Sequence, residues 1–180
     1  EPNNYQVLQN YGPLLCQLRE YKLAKNIFEK SLKIKPQDPL LLYNYGKFYH
    51  DQKIFDEAII FYKKSFKIEP KNNFSMYNIG NIYFELNKLD LAISAYRDSL
   101  KTNPKNFLAH NNLANSLKNT GNFKEAIQYY KSSLKLKNDY PDIHLNYATQ
   151  LLKLENFEEG FEEYEWRKKS KIFSDYLNYT

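Results

Sequence analysis

The chain has 180 residues, a net charge of +5 and 42% hydrophobic residues. This balance is that of a folded protein rather than of a disordered segment. Its one cysteine, Cys16, cannot form an internal disulfide. No apolar run approaches the roughly 18 residues that a membrane helix needs. We therefore predict a cytoplasmic location and no membrane partner.

The positive charge is not concentrated in one segment. Basic residues such as Lys63, Lys64 and Lys131 stand beside acids such as Glu57 and Glu125. A nucleic-acid site would instead gather Lys and Arg on one face. A solvated surface is the better interpretation, so we predict no nucleic-acid partner.

The chain repeats itself every 34 residues, as Pro2, Pro36, Pro70 and Pro104 show. A fixed period of this length predicts stacked units that share a continuous core. Our predicted units are residues 5–38, 39–72, 73–106, 107–140 and 141–174. We interpret residues 1–4 as the tail of an upstream repeat, and residues 175–180 as a cap or the start of another domain.

Each unit divides into two predicted helices, because apolar or small residues recur at spacings of three and four. The first helix of each carries a glycine that we expect to face an alanine of the second helix: Gly12 with Ala24, Gly46 with Ala58, Gly80 with Ala92. Short polar residues are expected to cap the first helices, namely Asn4, Asp38, Asn72 and Asn106. Pro39 and Pro141 suit the first helical turn.

Eight residues of the second unit match a known signature in order: Leu42, Tyr45, Gly46, Tyr49, Ala58, Tyr62, Ser65 and Pro70. They resemble the tetratricopeptide repeat family. The resemblance implies an all-α fold of helix-turn-helix repeats stacked into a right-handed superhelix, an α-solenoid. It also implies that first helices line a concave groove that binds protein segments. The sequence departs from the signature at Asn138, Gly160 and Arg167.

An asparagine occupies the same place in all five first helices: Asn10, Asn44, Asn78, Asn112 and Asn146. Asparagine is a poor residue for a helix interior. The side-chain amides could bond to a neighbouring helix and hold the stack in register. Alternatively, they could line the groove and bind a peptide backbone, since an amide offers both a donor and an acceptor. We favour the second interpretation, because the column resembles the asparagine ladder in the tetratricopeptide superhelix of O-linked N-acetylglucosamine transferase.

Other predicted groove residues differ between units. We expect peptide contacts from six of them: Tyr43, Lys47, Tyr77, Asn81, Asn111 and Asn115. Arrays that clamp the terminal carboxylate of a chaperone use paired Lys or Arg in the groove, two of them at places where this chain has Phe74 and Asn78, or Leu108 and Asn112. An acidic chaperone tail is therefore not the expected partner.

Catalytic motifs are missing from the sequence. His50, His110 and His144 are scattered one per unit, without a metal-binding motif or a cysteine pair. We expect His110 and His144 to pack partly into the core. No phosphate-binding glycine loop is present either, so we predict no metal, no cofactor and no enzyme activity for this chain.

The fifth unit differs from the others. The run from Gly160 to Arg167 resembles the closing repeat of bacterial tetratricopeptide proteins that continue into a glycosyltransferase-like domain. One alternative is therefore a substrate-recruiting arm of a larger glycosyltransferase. Another is an atypical terminal unit with a polar outer face. Self-association through open array ends is a third possibility for partners.

Overall fold

The structure, a computed structural model, describes residues 5–71 and 73–169. The predicted fold class is confirmed, since the regular elements of these residues are ten α-helices and one short 3₁₀ helix, with no strand among them. The helices are α1 (Tyr5–Gln17), α2 (Tyr21–Ile34), α3 (Pro39–Asp51), α4 (Phe55–Ile68), α5 (Asn73–Glu85), α6 (Leu89–Thr102), α7 (Phe107–Asn119), α8 (Phe123–Leu136), α9 (Pro141–Lys153) and α10 (Phe157–Tyr164); the terminal 3₁₀ helix is Glu165–Lys169.

The chain forms two compact units, Glu1–Leu86 and Asn87–Thr180. In the first unit, α1 packs on α2, α3 on α4, and α3 also contacts α1 and α2. In the second unit, α7 packs on α6 and α8, and α9 packs on α8, α10 and the terminal 3₁₀ helix. The third repeat therefore contributes α5 to the first unit and α6 to the second.

Side-chain caps fix two of the predicted helix starts. Asp38 accepts a hydrogen bond from the Leu41 backbone N–H at 2.8 Å, and Pro39 stands in the first turn of α3. Asn106 accepts from the Ala109 N–H at 3.1 Å at the start of α7. These bonds satisfy donors that have no partner within the helix. The proposed caps at Asn4 and Asn72 lie outside the described residues, as do the segments 1–4 and 170–180.

In two repeats, a buried serine of the second helix bonds to the first residue of the first helix of the same repeat. The Ser65 hydroxyl donates to the Pro39 carbonyl at 2.7 Å, and Ser133 donates to the Phe107 carbonyl at 2.7 Å. Both serines are fully buried. Because the hydroxyl is small and has a partner, it can lie at a close contact between helices without an unsatisfied polar group.

The close approach of paired helices involves a ring rather than the predicted alanine. A Cβ atom added to Gly12 would lie 2.8 Å from a ring atom of Phe28, and one added to Gly46 would lie 2.8 Å from Tyr62. The atoms nearest to these glycines on the partner helix therefore belong to a ring and not to the expected Ala24 or Ala58. The aromatic side chain stands one helical turn after the alanine and covers the glycine.

The turn between the two helices of each repeat uses a left-handed backbone. The residues with positive φ angles of 55° to 81° occupy one column of the repeat: Arg19, Lys53, Asn87, Gly121 and Glu155. Only Gly121 and Asn87 are residue types that adopt this conformation readily. The other three turns are therefore strained locally, and the helix packing on either side maintains them.

No helix in the described part of the chain has the length and apolar character needed to cross a membrane.

Candidate functional site

The asparagine column lies on the first helix of each repeat, as the sequence predicts. Asn10 is exposed, and Asn44, Asn78, Asn112 and Asn146 are half-buried. Their surroundings differ from one helix to the next. What the residues share is a position on the helix that leaves part of each side chain in contact with solvent.

In the first unit, Asn44 borders a cavity between α1 and α3. The cavity has a volume of about 150 Å³ and is lined by Pro13, Cys16, Gln17, Asn44, Lys47, Phe48 and Asp51. The Lys47 ammonium pairs with the Asp51 carboxylate at 2.7 Å. Burial raises the pKa of the Cys16 thiol, so this thiol is a poor nucleophile. The cavity combines an apolar wall with polar groups and has room for a small side chain.

The amide of Asn78 bonds to a neighbouring helix, as expected if the asparagines hold the stacked helices in register. Its Nδ2 donates a hydrogen bond to the Tyr43 hydroxyl of α3 at 3.1 Å. The Tyr43 ring lies 5.6 Å from the ring of Tyr62 and 6.3 Å from that of Phe74. This bond joins two predicted groove residues, Tyr43 and Asn78, which lie on successive first helices. Tyr77 and Asn81 lie half-buried on the same helix as Asn78.

In contrast, no side-chain hydrogen bond joins the amides of Asn10 or Asn44 to another of the described residues, and the same is true of Asn146 in the second unit. The column therefore holds both amides that have protein partners and amides that do not. Half-buried amides without partners retain hydrogen-bonding capacity for a ligand or water.

The amides of the second unit bond to one another and to a tyrosine. Asn111 Nδ2 donates to Asn112 Oδ1 at 3.0 Å, and the Tyr130 hydroxyl donates to Asn115 Oδ1 at 2.6 Å. The Asn111 oxygen is buried without a hydrogen-bond partner. Burial raises the pKa of Tyr130, which keeps its hydroxyl protonated as a donor. The three α7 asparagines that we predicted to contact peptide or form the ladder, Asn111, Asn112 and Asn115, thus each take part in a hydrogen bond within the protein.

Lys118 and Lys153 of the second unit lie near each other. Among the described residues, neither forms an ion pair with a carboxylate. Lys118 lies half-buried on α7, and Lys153 lies at the end of α9 with its Nζ 4.2 Å from the centre of the Phe123 ring. The pKa of Lys118 is lowered, first by burial and then by the charge of Lys153. This pair leaves a positive region near the carboxyl ends of two first helices.

The three histidines differ in their surroundings. His50 is half-buried, and burial lowers its pKa. His110 is also half-buried, while His144 is almost fully buried. Among residues 5–71 and 73–169, no cluster of three or more possible metal ligands occurs.

Sequence profiles of the tetratricopeptide repeat match residues 5–38, 40–72 and 107–140, and a profile of the TPR repeat matches residues 80–121. The chain belongs to the tetratricopeptide repeat family. Tetratricopeptide repeats mediate contacts between proteins, and this chain is accordingly a protein-interaction module. No curated protein sequence matches it.

Solved structures of tetratricopeptide proteins share the fold. PilF of Pseudomonas aeruginosa superposes with a TM-score of 0.81 at 18% identity, over 92% of this chain and 75% of that one. MamA of Desulfovibrio magneticus RS-1 gives 0.79 at 13% identity, over 93% and 97%. YrrB, described as a TPR protein with an unusual peptide-binding site, gives 0.75 at 18% identity, over 99% and 93%. The fold is an all-α helical-repeat solenoid.

Three residues at the candidate site were missed from the sequence. Gln17 and Asp51 line the cavity of the first unit, and Lys153 stands beside Lys118 in the second. All three occupy one column of the tetratricopeptide repeat, because multiples of 34 residues separate them. The column directly follows the one that holds Cys16 and Lys118. A search of it for polar and charged residues could have identified all three.

Proposed function

We propose that this chain is a non-catalytic, cytoplasmic module that binds an extended peptide or protein segment along the asparagine-bearing faces of its first helices. The observation that carries the proposal is the unpaired amide of Asn44, which borders the cavity between α1 and α3. An amide can donate to a peptide carbonyl and accept from a peptide N–H. The adjoining cavity offers space for one side chain of the same segment.

Peptide binding by a similar structure supports the proposal. YrrB is described as having a peptide-binding site, though an unusual one. In this chain, Asn10 and Asn44 lie on neighbouring first helices of one compact unit. Helices are about 10 Å across, and an extended chain advances about 3.3 Å per residue. Consecutive amides could therefore meet a bound backbone about every three residues, without selecting its sequence.

The second unit supports a preference for acidic side chains. Lys118 and Lys153 repel each other, and a carboxylate between them would relieve that repulsion and stabilise both charges. In the first unit, Lys47 and Lys53 already pair with Asp51 and Glu85, at 2.7 and 3.0 Å. We therefore expect any acidic residue of the ligand to be bound by the second unit.

The test uses a phage-displayed library of random linear peptides selected on the immobilised chain. Selected peptides are then measured against the double variant Asn10→Ala, Asn44→Ala. Each amide that loses two hydrogen bonds should cost about 1 to 3 kcal/mol, so binding should weaken tenfold or more. Asn26→Ala, on the exposed surface of α2, is the matched control and should bind as the parent chain does.

Two outcomes would contradict the proposal. One is that selection enriches no peptide that binds the chain. The other is that the enriched peptides bind Asn10→Ala, Asn44→Ala as tightly as they bind the parent. Enrichment of Asp and Glu, with binding lost in Lys118→Gln, would support the acidic preference of the second unit.

A second candidate function is the substrate-recruiting arm of a larger glycosyltransferase. Its support is the run from Gly160 to Arg167, which departs from the other repeats. A Cβ atom on Gly160 would lie 2.8 Å from a side-chain atom of Leu152, so the glycine also has a packing reason. The coding sequence beyond Thr180 tests this candidate, because a catalytic domain there would support it and a further binding module would count against it.

Self-association is the remaining proposal for partners. Val7 and Leu14 of α1 are 57% and 48% exposed, whereas their counterparts Leu41 and Phe48 in the second repeat are 0% and 3% exposed. Light scattering at increasing protein concentration checks it. A mass that rises with concentration would support association through this face, and a constant monomer mass would exclude it.

A further inference from the structure

His144 lies in a compact cluster at the end of the second unit. It is 6% exposed, and its ring stacks on that of Trp166 with centres 3.9 Å apart and planes 1° from parallel. His144 belongs to α9, whereas Trp166 belongs to the terminal 3₁₀ helix. Glu163, at the end of α10, completes the cluster. One side chain thus connects three consecutive elements.

Both ring nitrogens of His144 face hydrogen-bond acceptors. Nε2 lies 2.7 Å from the Asn138 carbonyl oxygen, and Nδ1 contacts the Glu163 carboxylate. A carbonyl and an ionised carboxylate can only accept, and a neutral imidazole carries only one N–H. The two bonds therefore form together only when the cluster holds one further proton, on the imidazole or shared with Glu163.

His110 gives a comparison within the same chain, since it occupies the same column one repeat earlier. Its Nε2 lies 2.9 Å from the Pro104 carbonyl oxygen. Its Nδ1, however, is buried without a hydrogen-bond partner. A neutral imidazole satisfies this arrangement. The requirement for a second proton therefore comes from Glu163 and not from the place of the histidine in the repeat.

We propose that His144, Glu163 and Trp166 form a proton-operated latch, which holds α10 and the terminal 3₁₀ helix against α9 when the cluster is protonated and loosens them when the proton leaves. The protonated imidazole attracts both the carboxylate and the face of the indole. Without the proton, one ring nitrogen turns a lone pair toward an acceptor, either the Glu163 carboxylate or the Asn138 carbonyl, and that contact becomes repulsive. The latch is therefore closed at lower pH and opens as the pH rises.

Other charged groups lie on the elements that carry the cluster. Lys169 places its Nζ 3.9 Å from the centre of the Trp166 ring. Arg167 pairs with Glu165 at 2.8 Å. Asp142 lies two residues before His144 on α9. Of these residue types, histidine is the one whose ordinary pKa lies nearest to neutral pH.

Trp166 gives a direct test, because it is the only tryptophan of the chain. A stacked imidazolium accepts an electron from excited indole and quenches its fluorescence. In the full chain, emission should be weak at about pH 5 and rise toward pH 8, with a shift to longer wavelength as the ring meets more water. His144→Leu should remove this transition. Leucine occupies the same column at Leu8 and Leu42, so the variant is compatible with the repeat.

Glu163→Gln is the second variant, and it leaves His144 in place. A glutamine amide can either donate or accept, so the cluster no longer needs a second proton and the transition should move to lower pH. His110→Leu is the matched control and should leave the profile unchanged. The latch would be overturned by a parent emission that is flat across this range, by a transition that persists in His144→Leu, or by a midpoint that Glu163→Gln does not move.

Discussion

The two compact units are built from the same repeat but fill their cores differently. In the first unit, the ring of Tyr45 lies 5.0 Å from that of Phe28, 4.5 Å from Phe61 and 5.6 Å from Phe48. In the second unit, Leu113 occupies the place of Tyr45, and the other buried residues of α7 include Ala109, Ala114 and Leu117. The contrast shows that the repeat fixes where buried residues stand, while their size is adjusted locally.

The glycine column also differs between the units. The first unit has Gly12 and Gly46, each covered by a ring, whereas the second has buried Ala114 and Ala148 at the same place. The second unit keeps a buried tyrosine, Tyr130, at the place of Tyr62. The presence of a ring therefore does not by itself decide whether the facing helix carries glycine or alanine.

Removing a central ring should change the stability more than the other substitutions that compare the two units. Tyr45→Ala should lower the free energy of unfolding by about 3 to 5 kcal/mol, because it leaves a cavity among three phenylalanine rings. Leu113→Ala, the matched change in the second unit, should cost about 2 to 5 kcal/mol. Aromatic pairs contribute beyond their area, so we expect Tyr45→Ala to cost more. Urea unfolding followed by circular dichroism measures both, and an equal or smaller loss for Tyr45→Ala would contradict the contrast.

Changing the glycine column should have an intermediate effect. Gly46→Ala should destabilise the chain by about 1 to 3 kcal/mol through overpacking against the buried Tyr62 ring. This effect on stability is opposite to the usual one, because alanine ordinarily stabilises a helix relative to glycine by about 1 kcal/mol. Ala114→Gly provides the matched change in the second unit and should also destabilise. The expectation fails if Gly46→Ala melts at or above the temperature of the parent chain.

Substitutions in the asparagine column should change the stability least. They should distinguish amides that bond to the protein from amides that do not. Asn78→Ala should cost about 0.5 to 1.5 kcal/mol, because it removes the bond to Tyr43. Asn44→Ala should be neutral or slightly stabilising, since its amide has no protein hydrogen bond among the described residues and alanine favours a helix. Thermal unfolding of both variants measures the difference. A large loss in Asn44→Ala would show that this amide holds the stack together and would remove its support as a binding group.

Much of the fold could be predicted because the repeat appears in the sequence in plain form. The 34-residue period, the caps at Asp38 and Asn106 and the eight signature residues depend on local spacing and backbone chemistry. The position of the asparagine column could be predicted for the same reason. The contacts of the predicted site residues could not, because the partners of Asn78 in the column and of Asn115 beside it are 35 and 15 positions away.

The sequence by itself therefore determined the helical repeat, its pairing into helix-turn-helix units and the family, since each follows from a pattern of neighbouring residues. The tertiary structure decided which amides remain unpaired, that Phe28 and Tyr62 cover the glycines, and that His144 meets Glu163 and Trp166. These outcomes depend on side-chain size and direction where separate helices pack. A periodic pattern places such residues in columns but does not specify which of their neighbours they contact.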